Sequence, residues 1–318
     1  MIRFIKDWTL PLAMMMGVLG YFCFTNLDVL YCYRPIVKEV ASWLTPSLIF
    51  AQLLLTFCKV AVKDLSPRGW MWPLLGVQFV GCLLSAAILL FAPLPGEWKI
   101  ALEGAMVCII APTATAAAVI TGKLGGSAAA LTTYTLMSNL LAAVMVPLVF
   151  PLVEPSDLSF GKAFLTIMGR VFPLLLFPFF ISVILRRYFP LVYIFLSGLK
   201  DMAFYLWVLA LVIVMGQTTR TIVEGNIPVE VELLVAFLAL IVCCLQFLYG
   251  KRVGGRVGER VSGGQALGQK NTVLAIWMAL TYLNPISAIA PGSYMVWQNL
   301  INSWQLWKKN RLDNVNKD

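Results

Sequence analysis

The chain has 318 residues, 60% apolar and 12% charged, with a mean hydropathy of +0.85. Soluble domains carry about 25% charged residues, so a soluble enzyme or soluble binding module is excluded and an integral membrane protein is implied. The net charge of +9 sits in short segments between apolar runs, which points to membrane topology rather than to nucleic acid, and the lack of histidine removes histidine metal sites, triads and proton relays.

A membrane span needs about 20 apolar residues. In chain order the candidates are 8–26, 41–58, 70–92, 100–120, 128–149, 171–186, 201–219, 229–249, 263–283 and 286–307. The first follows a basic start and has no small-x-small cleavage site after it, so it reads as a span rather than a signal peptide. FGKAFLTIMGR before the sixth span and LVYIFLSGLK before the seventh read as segments lying along the interface. Trp8, Trp43, Trp70, Trp72, Trp98, Trp304 and Trp307 fall near span ends, as interfacial anchors do. Cys23, Cys32, Cys58, Cys82, Cys108, Cys243 and Cys244 lie mostly in apolar runs without CxxC spacing. They read as small packing residues rather than a disulfide or metal framework.

Two spans are interrupted. The fourth contains Ala111-Pro112-Thr113-Ala114-Thr115-Ala116-Ala117-Ala118. Its proline removes an amide donor, and its small residues let another backbone come close. The ninth contains Gly263-Gly264-Gln265-Ala266-Leu267-Gly268-Gln269-Lys270-Asn271-Thr272, too polar and glycine-rich for a lipid-facing helix. A charge at the depth of Lys270 costs about 2.5–3.5 kcal/mol on insertion scales. Broken backbone at that depth is tolerated only where protein or a water-filled cavity covers it.

With the N-terminus inside, seventeen of the lysines and arginines fall on the cytoplasmic side and five outside. That bias predicts ten spans with both termini cytoplasmic, and the membrane expected is the inner, cytoplasmic one. Five spans per half force opposite topologies, so the expected fold is all-α. It has two inverted repeats, about 1–155 and 156–318, in one transmembrane domain over 1–318. Spans 4 and 9 are broken and cross. Matched breaks in inverted halves point to a transporter's central site, with Thr113, Thr115, Gln269, Lys270 and Asn271 at the crossing.

At these breaks the chain resembles the bile acid:sodium symporter family. That family's fourth-span motif runs approximately Ala-Pro-Gly-Gly-Thr-Ala-Ser-Asn-Val, against Ala111 to Val119 here. Its ninth-span motif runs approximately Glu-Val-Gly-Met-Gln-Asn-Ser and then Leu-Ala, against Ala266 to Thr272 and Val273-Leu274-Ala275. The resemblance extends to Gln78 and the last span. It implies a secondary transporter of organic anions, carboxylates or sulfonates, working by alternating access. In the family, side-chain oxygens at these motifs hold two sodium ions. The equivalent positions here are Gln78, Ala117, Ala118, Ala266 and Lys270, and neither alanine nor lysine offers a side-chain acceptor. Sodium-independent transport is therefore expected. The Lys270 ammonium would stand where a sodium stands in relatives, bridging the broken helices through freed carbonyls, with Gln78 as a further acceptor. Any helix persisting there would set Lys270 on the face of Ala266.

The partners implied are a small organic anion and the lipid bilayer, with no cofactor and no metal. Proton coupling through Lys270 and simple uniport stay open, with Glu103 and Asp201 as weaker proton carriers. Competing classes are a sodium-coupled symporter, a membrane sensor or binding protein, and an auxin-efflux-type or arsenite-type carrier using Cys108. An intramembrane enzyme is disfavoured, because no two acids share a span interior. The sequence leaves the particular anion, the direction of flux and the oligomeric state undecided.

Overall fold

The computed structural model of the chain describes residues 2–27, 33–59, 65–155, 158–199, 202–225 and 227–315. Of residues 2–11, 310 and 312–315 the backbone alone is described, and Cys32 and Asp201 lie outside the described residues. The described residues form thirteen α-helices in the order α1 Ile2–Asn26, α2 Arg34–Cys58, α3 Met71–Phe91, α4 Gly96–Ile110, α5 Ala117–Lys123, α6 Ala128–Val153, α7 Phe160–Tyr188, α8 Pro190–Gly198, α9 Met202–Glu224, α10 Val229–Gly255, α11 Arg260–Gly268, α12 Thr272–Tyr282 and α13 Ile289–Val315. A short 3-10 turn, Pro285–Ala288, precedes α13. Helices α2, α3, α6, α7, α9 and α10 are each long and apolar enough to cross a membrane. Leu12–Asn26 and Thr272–Tyr282 are shorter apolar stretches. The chain is an all-helical, multi-pass membrane protein.

The helices pack in two groups. In the first, α1 lies on α9, α9 on α2, and α2 on α7, with α8 beside α7 and α2. In the second, α10 packs on α11, α4 and α13, α4 lies on α3, and α6 packs on α3, α5 and α11. The α6–α7 contact and the contacts of α12 with α2 and α9 join the groups.

Helix ends depart from the hydropathy windows. Helix α2 starts at Arg34 rather than 41, and α7 at Phe160 rather than 171. FGKAFLTIMGR is therefore the opening of a long helix, not a separate interfacial segment. The other expected interfacial segment is a distinct helix, α8, none of whose residues is buried. Trp70 stands at the start of α3 as expected, but it is buried and its ring stacks on Tyr134 at 6.3 Å, so it faces protein rather than lipid.

The glycines before Lys270 do not unwind the backbone. Gly263, Gly264 and Gly268 lie within α11 and are buried. A Cβ on Gly263 would sit 2.4 Å from the Gly250 carbonyl oxygen and 3.0 Å from the Gly254 Cα, so here glycine serves close packing of α11 on α10. The segments flanking the broken helices are tied at one end of the bundle. Arg68 pairs with Glu259, and the Ser262 hydroxyl donates to Glu259 at 2.6 Å. The Ser127 amide donates to Ser262 Oγ at 3.0 Å, and Lys309 Nζ to the Lys123 carbonyl at 2.9 Å.

Candidate functional site

The site is built where two helix ends meet in the interior. Helix α4 stops at Ile110 ahead of Pro112, which has no amide to continue the ladder. The last carbonyls of a helix lack intrahelical partners, and here each of them finds one. Val107 O accepts the Ala111 amide at 2.9 Å. Cys108 O accepts Gln246 Nε2 at 3.3 Å, and Ile109 O accepts Lys270 Nζ at 2.9 Å. Ile110 O and Ala111 O share Gln78 Nε2 at 2.8 and 3.1 Å.

At the end of α11 three of the last four carbonyls are held. Gln265 O accepts the Gln269 amide at 3.1 Å. Ala266 O accepts the Thr113 hydroxyl at 2.6 Å, and Gly268 O accepts the Tyr294 hydroxyl at 2.8 Å. Gln298 then clamps Lys270 on both sides of its backbone: Oε1 accepts the Lys270 amide at 2.8 Å and Nε2 donates to its carbonyl at 3.3 Å.

Between the helix ends the two extended segments pair as an isolated antiparallel bridge, Thr113 opposite Lys270. Ala114 N donates to Gln269 O at 2.9 Å and Asn271 N to Pro112 O at 2.8 Å. The exchange is reciprocal. Thr113 donates its side chain to Ala266 O, four residues before Lys270. Lys270 donates its side chain to Ile109 O, four residues before Thr113.

Of the expected site residues, Thr113, Gln269, Lys270 and Asn271 are brought together and buried. Asn271 caps α12, its side-chain oxygen accepting the Leu274 amide at 3.2 Å. Thr115 is half-buried in the turn before α5 and does not join the bridge. Lys270 lies in the extended break beyond the end of α11, so it does not continue the helical face of Ala266. Gln78 does not accept from Lys270. Its amide nitrogen is spent on α4, and its oxygen accepts the Ser138 hydroxyl at 3.1 Å. Ala117 and Ala266 pack with Met71, Leu74, Tyr134 and Leu267 in an apolar cluster, with Ala118 against its edge.

Lys270 is 1% exposed. The ion pairs among the described residues, Arg68–Glu259 and Arg220–Glu224, do not involve it, and its ammonium makes one hydrogen bond there, to Ile109 O. The negative end of the α4 dipole supplies the compensating field. Among the described residues several buried polar atoms of α11, its break, α13 and α6 lack a partner: Gln265 Oε1, Gln269 Oε1, Asn302 Nδ2 and both ends of the Asn139 amide. Such atoms call for water or a polar ligand. Cys108 packs with Val235, Ala239, Cys243 and Phe247, and Glu103 is buried in α4 with Oε2 unpartnered. Among the described residues no three His, Cys, Asp or Glu side chains converge as metal ligands would.

Ile109, Gln246, Tyr294 and Gln298 complete the site without having been singled out in the sequence. One signal was present: Tyr294, Gln298 and Asn302 recur every fourth residue, a polar stripe along one face of α13. No protein-family model matches the chain, and no curated protein matches it.

Proposed function

We propose that the chain is a secondary transporter of a small organic anion, a carboxylate or sulfonate, that works by alternating access without sodium. In this reading it is a divergent relative of the bile acid:sodium symporters. Its ten spans are α1, α2, α3, α4 with α5, α6, α7, α9, α10, α11 with α12, and α13, arranged as two inverted halves. Both termini face the cytoplasm. The core that carries the bridge between the broken helices moves against the group formed by α1, α2, α7 and α9.

The observation that carries this reading is the reciprocal bridge, in which the Lys270 ammonium occupies the carboxyl end of α4. Negative helix ends hold the coupling cation in transporters built on broken spans, and here the protein supplies that cation from its own chain. The apolar packing of Ala117 and Ala266 supports the same conclusion, because a hard cation needs oxygen ligands and these side chains have none. The ammonium has three donors and spends one on Ile109 O among the described residues. The remaining ammonium donors offer an anionic substrate charge-assisted hydrogen bonds, and the unpartnered amide nitrogens of Asn139 and Asn302 are further donors, whereas the free oxygens of Gln265 and Gln269 can only accept.

The test follows thermal unfolding of the purified protein across a sodium series balanced with choline, for wild type and for Lys270→Ala. A ligand that binds the folded state raises the midpoint with the logarithm of its occupancy. The expected result is a flat sodium response in wild type and a lowered midpoint in the variant. A saturable, sodium-specific rise in wild type would replace this mechanism by sodium symport. Anion counterflow in liposomes separates a transporter from a sensor: binding without counterflow would sink the transport reading.

A further inference from the structure

A groove runs along the outside of the crossing, between α3 and α10. Its two sections, of about 450 and about 270 Å3, share Val77, Gly81 and Tyr249 as lining residues. The deeper section is floored by Ile109, whose carbonyl holds Lys270, and by Leu267 at the end of α11. From Pro73 to Gly81 the groove follows α3 over nine residues, about 12 Å at the rise of an α-helix.

Small residues carve it. A Cβ on Gly76 would meet nothing within 4 Å, while one on Gly81 would press on Ile109 at 3.1 Å. The rim is apolar and open, with Val80 58% and Leu245 60% exposed. On α10 the lining residues Val242, Leu245 and Tyr249 stand at i, i+3 and i+7, and Arg252 continues that stripe three residues further on. Arg252 and Arg256 are both exposed. Lys251 is turned elsewhere, its ammonium 6.0 Å from the Trp304 ring centroid. Tyr249 and Pro73 line the same section, so the arginines stand at the end of the groove where α3 begins and α10 finishes.

We propose that this groove is a binding site for an anionic phospholipid, with one acyl chain lying between α3 and α10 and the headgroup phosphate at Arg252 and Arg256. Apolar lining along the length and paired guanidinium groups at one end match an amphiphile with a negative head, and a free anion would leave the apolar length unfilled. The seated acyl chain would press on Ile109 and Leu267, the residues that back the bridge from outside. The proposal concerns a face of the core other than the bridge itself and stands whether or not the protein transports an anion.

The test measures lipid retention by the full-length protein, using phosphatidylglycerol and phosphatidylcholine of identical acyl chains. Thermal midpoint and bound lipid mass are read together. Each basic residue near a membrane surface contributes about a factor of five, so wild type should prefer phosphatidylglycerol roughly thirtyfold. Arg252→Gln with Arg256→Gln should abolish that preference. Gly76→Leu, which grows into open space, should abolish retention of either lipid while leaving the lipid-free midpoint unchanged. Val80→Trp at the rim is the second filling variant, should the first disturb folding. Equal retention of the two lipids by wild type, or undiminished retention in the filled variants, would overturn the proposal.

Discussion

Lys270 shows how a lone buried charge is held. The insertion cost of about 2.5–3.5 kcal/mol is met by one charge-assisted hydrogen bond, worth about 1.5–3 kcal/mol, and by the negative end of α4, worth about 0.3–2 kcal/mol. No carboxylate is needed to balance these terms. The counterpart at Thr113 is neutral and simpler to test. Its hydroxyl donates to Ala266 O at 2.6 Å in a site with no exposure. Thr113→Val keeps the shape and strands a buried carbonyl, which costs about 1–3 kcal/mol. Thr113→Ser keeps the donor and loses a methyl, about 0.8 kcal/mol. Thermal midpoints of the two purified variants should therefore fall in the order serine, then valine. A valine variant as stable as wild type would mean that the hydroxyl bond adds nothing to the crossing.

At the scale of elements, the positions of both breaks were legible, but not how each is made. Pro112 marks the first break because an absent amide is a local property of the sequence. The second break is shorter than its glycines suggest: it spans Gln269 to Asn271, and the preceding glycines stay helical because α10 lies against them. Glycine reads alike in sequence whether it unwinds a helix or lets one approach, and only the neighbouring helix decides. The early starts of α2 and α7 were hidden because hydropathy reports the part of a helix in lipid, whereas hydrogen bonding continues into the interface. Gln78 was found by type and misassigned by partner, since its target carbonyls lie 32 and 33 residues away. The glycine account makes a stability prediction. Gly263→Ala drives a methyl to 2.4 Å from Gly250 O, so α11 must move off α10 at a cost of about 1–3 kcal/mol. Gly122→Ala meets open space in α5 and should gain up to about 1 kcal/mol from helix propensity. Paired unfolding curves would decide it: an equally stable Gly263→Ala would show that the helices are not locked together there.

At the scale of the whole molecule, length and hydropathy pick out six spanning helices among the described residues, and the proposed function needs ten. The difference lies in α1, α13 and the two broken pairs. Helix α4 has 15 residues and α11 has 9, so neither crosses about 30 Å of hydrocarbon alone. Joined through their breaks to α5 and α12, each pair reaches a spanning length. Polar contacts between distant segments favour that joining. Lys123 meets Lys309, Ser127 meets Ser262 and Arg68 meets Glu259, and a ten-span path puts all six residues on one side. The same path puts Gly96 and Gly161 on the other side. Single cysteines at Gly96, Gly161, Gly122 and Val257, in a variant without native cysteines, convert this into a labelling experiment. The three glycine sites have open space around them, and Val257 is exposed. In intact cells a membrane-impermeant maleimide should label positions 96 and 161, with positions 122 and 257 reacting after permeabilisation. Labelling of 96 and 122 from the same side would mean that α4 and α5 turn back rather than cross, and the inverted halves would fail with them. Complete reversal would keep every span and overrule the orientation drawn from the lysine and arginine bias. The expected pattern would make the Thr113–Lys270 bridge the meeting point of two full crossings of opposite direction, as a site open to each side in turn requires.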